Sequence, residues 1–430
     1  STNSVADPRL SRRNVDELTY DYLKRIPAYI GTFSWTTSNV AGDQLYSTIV
    51  RPQAYSFIYG KGVVMPPVTF LAQHHTLWRG GIKFRFKLVK TQFHRGRLLV
   101  YVDPGVKDST ATLATTELLY REIVDISETS QFEICVPYNL ARAWISNTTK
   151  SATIGVFVLD PLVAPTTVTS TVKVLVEVCG DETLEFGVPY PTNYNPYAPA
   201  VLQSGEYTVT DCVEMGGSKV NFDTEKYTTG EKLTSFRQII KQVRMVPNLA
   251  PNYPAGGGAS WWPYLVPFTD QLTSNSSALL NPVLRSTLLD VLSCCYALST
   301  GSKRHSLFPF SGDFRAAYMT FWGVNPTEYT TIPDNIMLFK SRPYADINTS
   351  IEGNSEVQFP VWNPNYSRAA SSHLINNTTV IPSTNDTNLT KVTVNNWGTT
   401  TNAVLFVSAG DDFNLSLFVG IPALTIHSAT

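Results

Sequence analysis

The sequence predicts an all-β chain: two eight-stranded antiparallel sandwiches of jelly-roll winding, joined by an extended linker. Three observations carry that expectation. Apolar residues alternate strictly in several segments, the connections between them are long and rich in Pro, Asn and Thr, and the vocabulary changes near the middle of the chain. A length of 430 residues exceeds what one core usually serves.

The clearest strand is "RGGIKFRFKLVKTQ". Ile82, Phe84, Phe86 and Leu88 fall on one face, and Lys83, Arg85, Lys87 and Val89 on the other, a half-buried strand with a basic outer face. "RGRLLVYVDPG" follows, closed by the turn signal Asp103-Pro104-Gly105. "QFEICVPY", "SATIGVFVLDPL" and "STVKVLVEVCG" are further strands, rich in β-branched and aromatic residues. By Pro189 about eight strands have been used, enough for one jelly roll. Their long connections suit a Greek-key winding better than a meander.

The next stretch, "YPTNYNPYAPAVLQSGE", has no periodicity and reads as a linker or extended arm. In "EKLTSFRQIIKQV" the apolar residues Leu233, Phe236, Ile239, Ile240 and Val243 predict a helix with Thr234 or Ser235 as its N-cap. Beyond it β vocabulary returns. "LLDVLSCCYAL", "FRAAYMTFWG", "NSEVQFPVW", "LTKVTVNNWG" and "AVLFVSAGDDFNLSLFVGIP" are read as strands, with Cys294-Cys295 buried in the first. The division is therefore a first sandwich with an N-terminal arm over 1–195, a linker over 196–235, and a second sandwich over 236–430.

Charged residues make up 16% of the chain, aromatics 12%, and the formal net charge is −1. That is too apolar for a disordered chain and lacks the positive excess of a dedicated nucleic-acid binder. Arg9, Arg12 and Arg13 form a local basic arm, either solvated or set against RNA phosphates on an inner face. No apolar run reaches the roughly 18 residues of a membrane span, and no basic-then-apolar leader is present, so the chain reads as neither spanning nor secreted. Five cysteines with no C-x-x-C pair fit a reduced compartment. Sequons such as Asn147, Asn348 and Asn414 are then expected to stay unmodified.

Several constellations invite a chemical reading. Gly410-Asp411-Asp412 between apolar runs has the form of a polymerase metal site. A two-metal clamp needs a further aspartate on a neighbouring strand and a much larger body, and this chain offers neither. His305-Ser306 with Asp313 has the residue types of a hydrolase triad, yet adjacent strand residues face opposite ways and no G-x-S-x-G elbow accompanies them. His74, His75 and His94 match no standard zinc spacing, so no metal or other cofactor is expected.

From Thr76 to Gly105, "TLWRGGIKFRFKLVKTQFHRGRLLVYVDPG" resembles the capsid proteins of picorna-like insect viruses, the dicistroviruses and iflaviruses. The matching residues are Trp78-Arg79-Gly80, then Gln92-Phe93-His94 with Gly96-Arg97, then Pro104-Gly105. "DELTYDYLKRIPAYIGTFSW" is similar to the segment that precedes the first strand of the same subunit. "GEKLTSFRQIIKQV" and "SAGDDFNLSLFVGIP" are similar to the beginning and end of another major capsid subunit.

That resemblance implies a structural protein of the virion, made in the host cell cytoplasm. It would assemble with other capsid subunits and copies of itself into an icosahedral shell around a positive-strand RNA genome, with the RNA held weakly on the inner face. The loops between 340 and 400 would lie outside; a host receptor is not named by any motif. The resemblance also implies that Asp411, Asp412 and Phe413, the Asp-Asp-Phe motif, take part in a single autocatalytic maturation cleavage. Two close carboxylates raise one another's proton affinity, which suits a base. The alternative is that they cap a tight turn after Gly410. Gln203-Ser204 in "AVLQSGE" resembles a cleavage site of viral chymotrypsin-like cysteine proteases; the halves are either cut there or stay fused, as in the plant comovirus large subunit. Two further readings compete: one jelly roll plus a protruding domain carrying a hydrolase-like His305/Ser306/Asp313 site, and a carbohydrate-binding double β-sandwich.

Overall fold

The computed structural model describes residues 16–59, 62–105, 111–190, 194–198, 213–214, 228–230, 232–242, 244–245, 258–261, 287–311, 314–322, 344–348, 355–358, 368–369, 388–396 and 402–426. Arg9, Arg12, Arg13, Gln203, Ser204 and Asp313 lie outside them.

In the first half the strands are β1 (Ala28–Thr36), β2 (Gln44–Val50), β3 (Phe57–Tyr59), β4 (Gly62–Val64), β5 (His75–Arg79), β6 (Ile82–Val89), β7 (Arg95–Asp103), β8 (Tyr120–Asp125), β9 (Gln131–Val136), β10 (Ile145–Ser146), β11 (Ala152–Val163), β12 (Thr171–Gly180) and β13 (Glu185–Pro189). After β14 (Tyr194–Ala198) and β15 (Val213–Glu214) come β16 (Arg244–Met245), β17 (Gly258–Trp261), β18 (Tyr296–Thr300), β19 (Lys303–Ser311), β20 (Phe314–Trp322), β21 (Tyr344–Asn348), β22 (Ser355–Gln358), β23 (Arg368–Ala369), β24 (Asn388–Asn396), β25 (Asn402–Ala409), β26 (Asn414–Phe418) and β27 (Ala423–Ile426). Among the described residues four short α-helices accompany them: α1 (Tyr20–Lys24), α2 (Pro67–Gln73), α3 (Phe236–Ile240) and α4 (Leu288–Ser293).

Strand order defines the winding. One sheet of the first half runs β1-β12-β6-β9 and the other β2-β11-β7-β8. The second half runs β16-β25-β19-β22 and β17-β24-β20-β21. Among the strands of these two sheets, both halves read first, eighth, third, sixth in one and second, seventh, fourth, fifth in the other. That is the double Greek key of a jelly roll, wound twice. A smaller sheet is repeated too: β10-β5-β13 in the first half and β23-β18-β26 in the second.

The first core follows from alternation. Ile82, Phe84 and Phe86 are fully buried, as are Val172, Val174 and Val176 on the paired strand β12, with Ile154, Val156, Leu98 and Val100 from the facing sheet. Each such side chain contributes about 1.5–3 kcal/mol of burial. The basic face of β6 differs from its expected solvent exposure. Arg85 is buried because strands on either side bring acids to it: Glu133 at 2.5 Å and Glu177 at 3.7 Å. Lys87 also pairs with Glu177 at 2.6 Å, and Lys83 with Asp181 at 3.5 Å, so the face is a neutralised ladder.

Two further expectations change. "LLDVLSCCYAL" is a helix followed by a strand, because Leu288, Leu289, Val291 and Leu292 pack at helical spacing and the strand starts only at Tyr296. Cys294 and Cys295 lie in the turn between them and are buried. The helix foreseen around residue 236 is short. Ser235 caps it, its hydroxyl accepting from Arg237 N while Gln238 returns a bond to Ser235 N, a capping box.

Two short strands between the sandwiches add to their sheets. β15 pairs in parallel with the outer edge of β9, Val213 opposite Ile134. β14 pairs with β27, which in turn meets β4, so a sheet ordered β14-β27-β4-β3 joins both halves. The arms preceding each sandwich also cross. Tyr20 N donates to Thr234 O at 2.9 Å and Phe236 N to Leu18 O at 3.1 Å, a reciprocal pair around the Thr19–Ser235 bridge.

Candidate functional site

The Asp-Asp-Phe turn joins β25 to β26 and sits against the start of β19. Gly301, at φ +86°, lies beneath it so closely that a Cβ there would meet Asp412 O at 2.1 Å and Phe413 Cα at 2.5 Å. Gly410 N donates to Ser302 O at 2.9 Å and Phe413 N to Gly410 O at 3.2 Å. Phe413 is buried and anchors the turn, while Asp411 and Asp412 are exposed.

The two carboxylates take different partners. Asp412 Oδ1 accepts from Ser302 N at 3.0 Å and from the Ser302 hydroxyl. Asp411 lies between two cations, Arg304 at 2.7 Å and Lys241 at 3.4 Å. Arg237 reaches the same turn from α3. Its guanidinium donates to Phe413 O at 3.0 Å and to the Asn414 side chain, and its other edge grips Asp16 at 2.9 and 3.1 Å.

The first half repeats this construction. Gly80, at φ +104°, lies under the turn Asp181–Leu184, where a Cβ would meet Thr183 O at 2.1 Å and Leu184 Cα at 2.5 Å. Asp181 N donates to Gly81 O at 3.0 Å and Leu184 N to Asp181 O at 3.1 Å. Thr183 Oγ1 accepts from Gly81 N at 3.0 Å, the place that Asp412 Oδ1 fills opposite Ser302 N. Lys24, from α1, donates to Leu184 O at 3.1 Å and Glu182 O at 2.7 Å. Even the left-handed residue in the following strand is duplicated, Val188 at φ 57° and Leu417 at φ 62°.

His305 and Ser306 are adjacent on β19 and both are buried. Burial, with Lys303 nearby, pushes His305 down to about 3. Its Nδ1 finds no hydrogen-bond partner among the described residues. His75 Nδ1 donates to Leu71 O (2.7 Å) and its Nε2 accepts from Tyr20 Oη (3.0 Å), and burial pushes it down to about 4. His74 is bonded to Phe70 O, and His94 to Thr91 and Thr169 O. Among the described residues no group of three or more His, Cys, Asp and Glu is placed to hold a metal ion, and no helix is long and apolar enough to cross a membrane.

The sequence did not mark Arg237, Asp16, Lys24, Ser302 or Arg304. A signal exists only in hindsight of the fold: Gly80 and Gly301 each precede a strand, and Asp181-Glu182 and Asp411-Asp412 each precede an aliphatic alternation.

Comparison with known proteins finds capsid families in both halves. A family model described as "CRPV capsid protein like" matches residues 221–430, and one described as "picornavirus capsid protein" matches 68–158, so the two fall in different halves and together cover well over half of the chain. The chain belongs to the picorna-like capsid proteins. It is similar to the structural polyprotein of Cricket paralysis virus, 29% identical over 271 residues that make up 56% of this chain and 29% of the polyprotein. The genome polyprotein of Deformed wing virus is 27% identical over 172 residues, 36% of this chain and 6% of that one. The capsid protein thus spans less than a third of the length of these curated relatives. A chain of the Triatoma virus empty capsid is 24% identical, with a TM-score of 0.40 over 44% of this chain and 81% of that one.

Proposed function

We propose that this capsid protein is a building unit of an icosahedral shell enclosing a positive-strand RNA genome, joined there by copies of itself and by other capsid subunits. The observation that carries the proposal is the tandem winding: two sandwiches of identical strand order, each in a region matched by a capsid family. Obligate interfaces of this kind bury roughly 2,000–5,000 Å2, and repeated heterologous contacts close a shell. Exposed Leu118, Tyr120 and Ile123 at the β8 edge suit such burial. Arg9, Arg12 and Arg13 would face the genome, weakly given a net charge of −1. The protein would be found in the virion and, before assembly, in the host cytoplasm. Gln203-Ser204 is the proposed point of proteolytic separation.

Asp411 and Asp412 are proposed to act once, in maturation. The first half supports this: it builds the same turn with Glu182-Thr183-Leu184, so the turn does not require an acid at the second position. The step would hydrolyse a peptide bond of a precursor brought close by assembly. A carboxylate takes a proton from water, the hydroxide adds to the carbonyl carbon, the C–N bond breaks, and the proton passes to the leaving amine.

Co-expression with the neighbouring capsid proteins, viewed by negative-stain electron microscopy, tests the shell. Closed particles containing the chain are expected; a glycan-binding monomer that enters no particle contradicts the proposal. Replacing both aspartates by Asn is expected to leave particles assembled with the precursor uncut. Unchanged processing removes the catalytic role.

A further inference from the structure

We infer that Asp16 and Arg237 are positioning residues for the Asp411–Asp412 turn, and that the first half of the chain thereby sets the geometry of a site in the second. This inference rests on the reading that those carboxylates act in precursor cleavage.

Arg237 is buried, and its fork has two clients. One edge holds the turn through Phe413 O and Asn414; the other is held by both oxygens of Asp16, 221 residues earlier in the chain. A planar guanidinium fixes direction as well as distance, so the Asp16 carboxylate orients the donors that grip the turn. Asp16 is itself fixed, accepting from Leu18 N at 3.1 Å.

The adjoining residue extends the clamp. Glu17 Oε2 accepts from Phe418 N at 2.8 Å, at the far end of β26, and Glu17 O accepts from Tyr296 Oη at 2.7 Å on the neighbouring strand β18. Both ends of the strand that follows the turn are therefore tied to residues 16–17. Lys241, one helical turn beyond Arg237, reaches Asp411 at 3.4 Å, so α3 grips the turn through its backbone and through a catalytic carboxylate together.

The first-half turn is held differently. Lys24 binds Leu184 O and Glu182 O from the same half, as a point charge without a fork. Glu185, just after that turn, is joined across the halves by the half-exposed Lys232 at 3.3 Å, whereas the turn bearing paired carboxylates is gripped by a buried guanidinium. A chain that has lost the Asp16 carboxylate would keep its fold and lose the aim of the turn.

The test uses the full chain co-expressed with its neighbouring capsid proteins, as Asp16→Asn, Asp16→Glu, Arg237→Lys and the Asp411→Asn/Asp412→Asn double variant. Cleavage per assembled particle is measured by gel, assembly by sedimentation, and backbone exposure by hydrogen exchange of the 411–418 peptide. Asp16→Asn and Arg237→Lys are expected to slow cleavage on the order of tenfold to a hundredfold at unchanged sedimentation. They should speed exchange of that peptide, with Asp16→Glu restoring part of both. The double variant should block cleavage while exchanging as the parent does. If it blocks cleavage and Asp16→Asn cuts at the parent rate, the positioning inference fails and the catalytic reading stands. If the double variant cuts normally, the catalytic reading fails; exchange measured on the unassembled chain then decides alone, and an unchanged 411–418 peptide in Asp16→Asn overturns the positioning.

Discussion

The turns at Asp181–Leu184 and Gly410–Phe413 are the same piece of backbone built twice. Each closes over a glycine at positive φ, each buries an apolar anchor (Leu184 or Phe413), and each is clamped by a cation from the arm helix of its half. They differ in what the exposed corner carries: Glu182-Thr183 in one, Asp411-Asp412 in the other. Shared features are thus what the fold requires. The carboxylate pair and its cross-half guanidinium are additions to a frame that stands without them.

The largest expected effect tests the shared frame. Gly80→Ala and Gly301→Ala each drive a Cβ to 2.1 Å from a carbonyl oxygen and impose positive φ on an alanine. Each should cost about 3 kcal/mol or more, read from urea denaturation of the full chain. A mild effect at one glycine and not the other would break the equivalence of the turns.

A somewhat smaller effect separates the halves by pH. His75 and Tyr296 occupy equivalent places, opposite Pro189 and Phe418. Only the first titrates in acid: burial lowers His75 from 6.5 to about 4. A depressed histidine contributes stability above its unfolded value, and that stability is lost as pH falls from 6.5 towards 4. The loss should reach about 3 kcal/mol at pH 4, near 1.4 kcal/mol per unit, and His75→Tyr should flatten this part of the stability–pH curve. His305, down at about 3, adds a further loss from the second half over the same range and below it. An unchanged curve in His75→Tyr would contradict the assignment.

The smallest effect belongs to the added chemistry. Asp411 is 70% exposed, and its pairs with Arg304 and Lys241 lie in water. Asp411→Asn should change stability by less than about 1 kcal/mol by thermal denaturation. A large loss would make this carboxylate part of the frame.

Much of the architecture was legible because alternation is written locally. β6 shows its core face in Ile82, Phe84 and Phe86, and Phe236, Ile239 and Ile240 behind a Thr234 or Ser235 cap announce α3. The run Leu288–Cys295 was not, since a short apolar segment fits strand and helix equally and only its packing decides. Asp411 and Asp412 stood out as a motif, whereas Asp16 and Arg237 did not, because a pair 221 residues apart has no local signature. The repetition of the turn escaped for a related reason. It survives in a glycine, a turn and a winding order, with few side chains in common.

A high-resolution electron-microscopy map of shells assembled from this chain and its neighbours tests the central claim most directly. The account predicts both halves in the shell wall, each wound first-eighth-third-sixth and second-seventh-fourth-fifth, with Leu18–Tyr20 still paired to Thr234–Phe236. A second half projecting outward as a separate domain, with His305 opened to solvent, would contradict it.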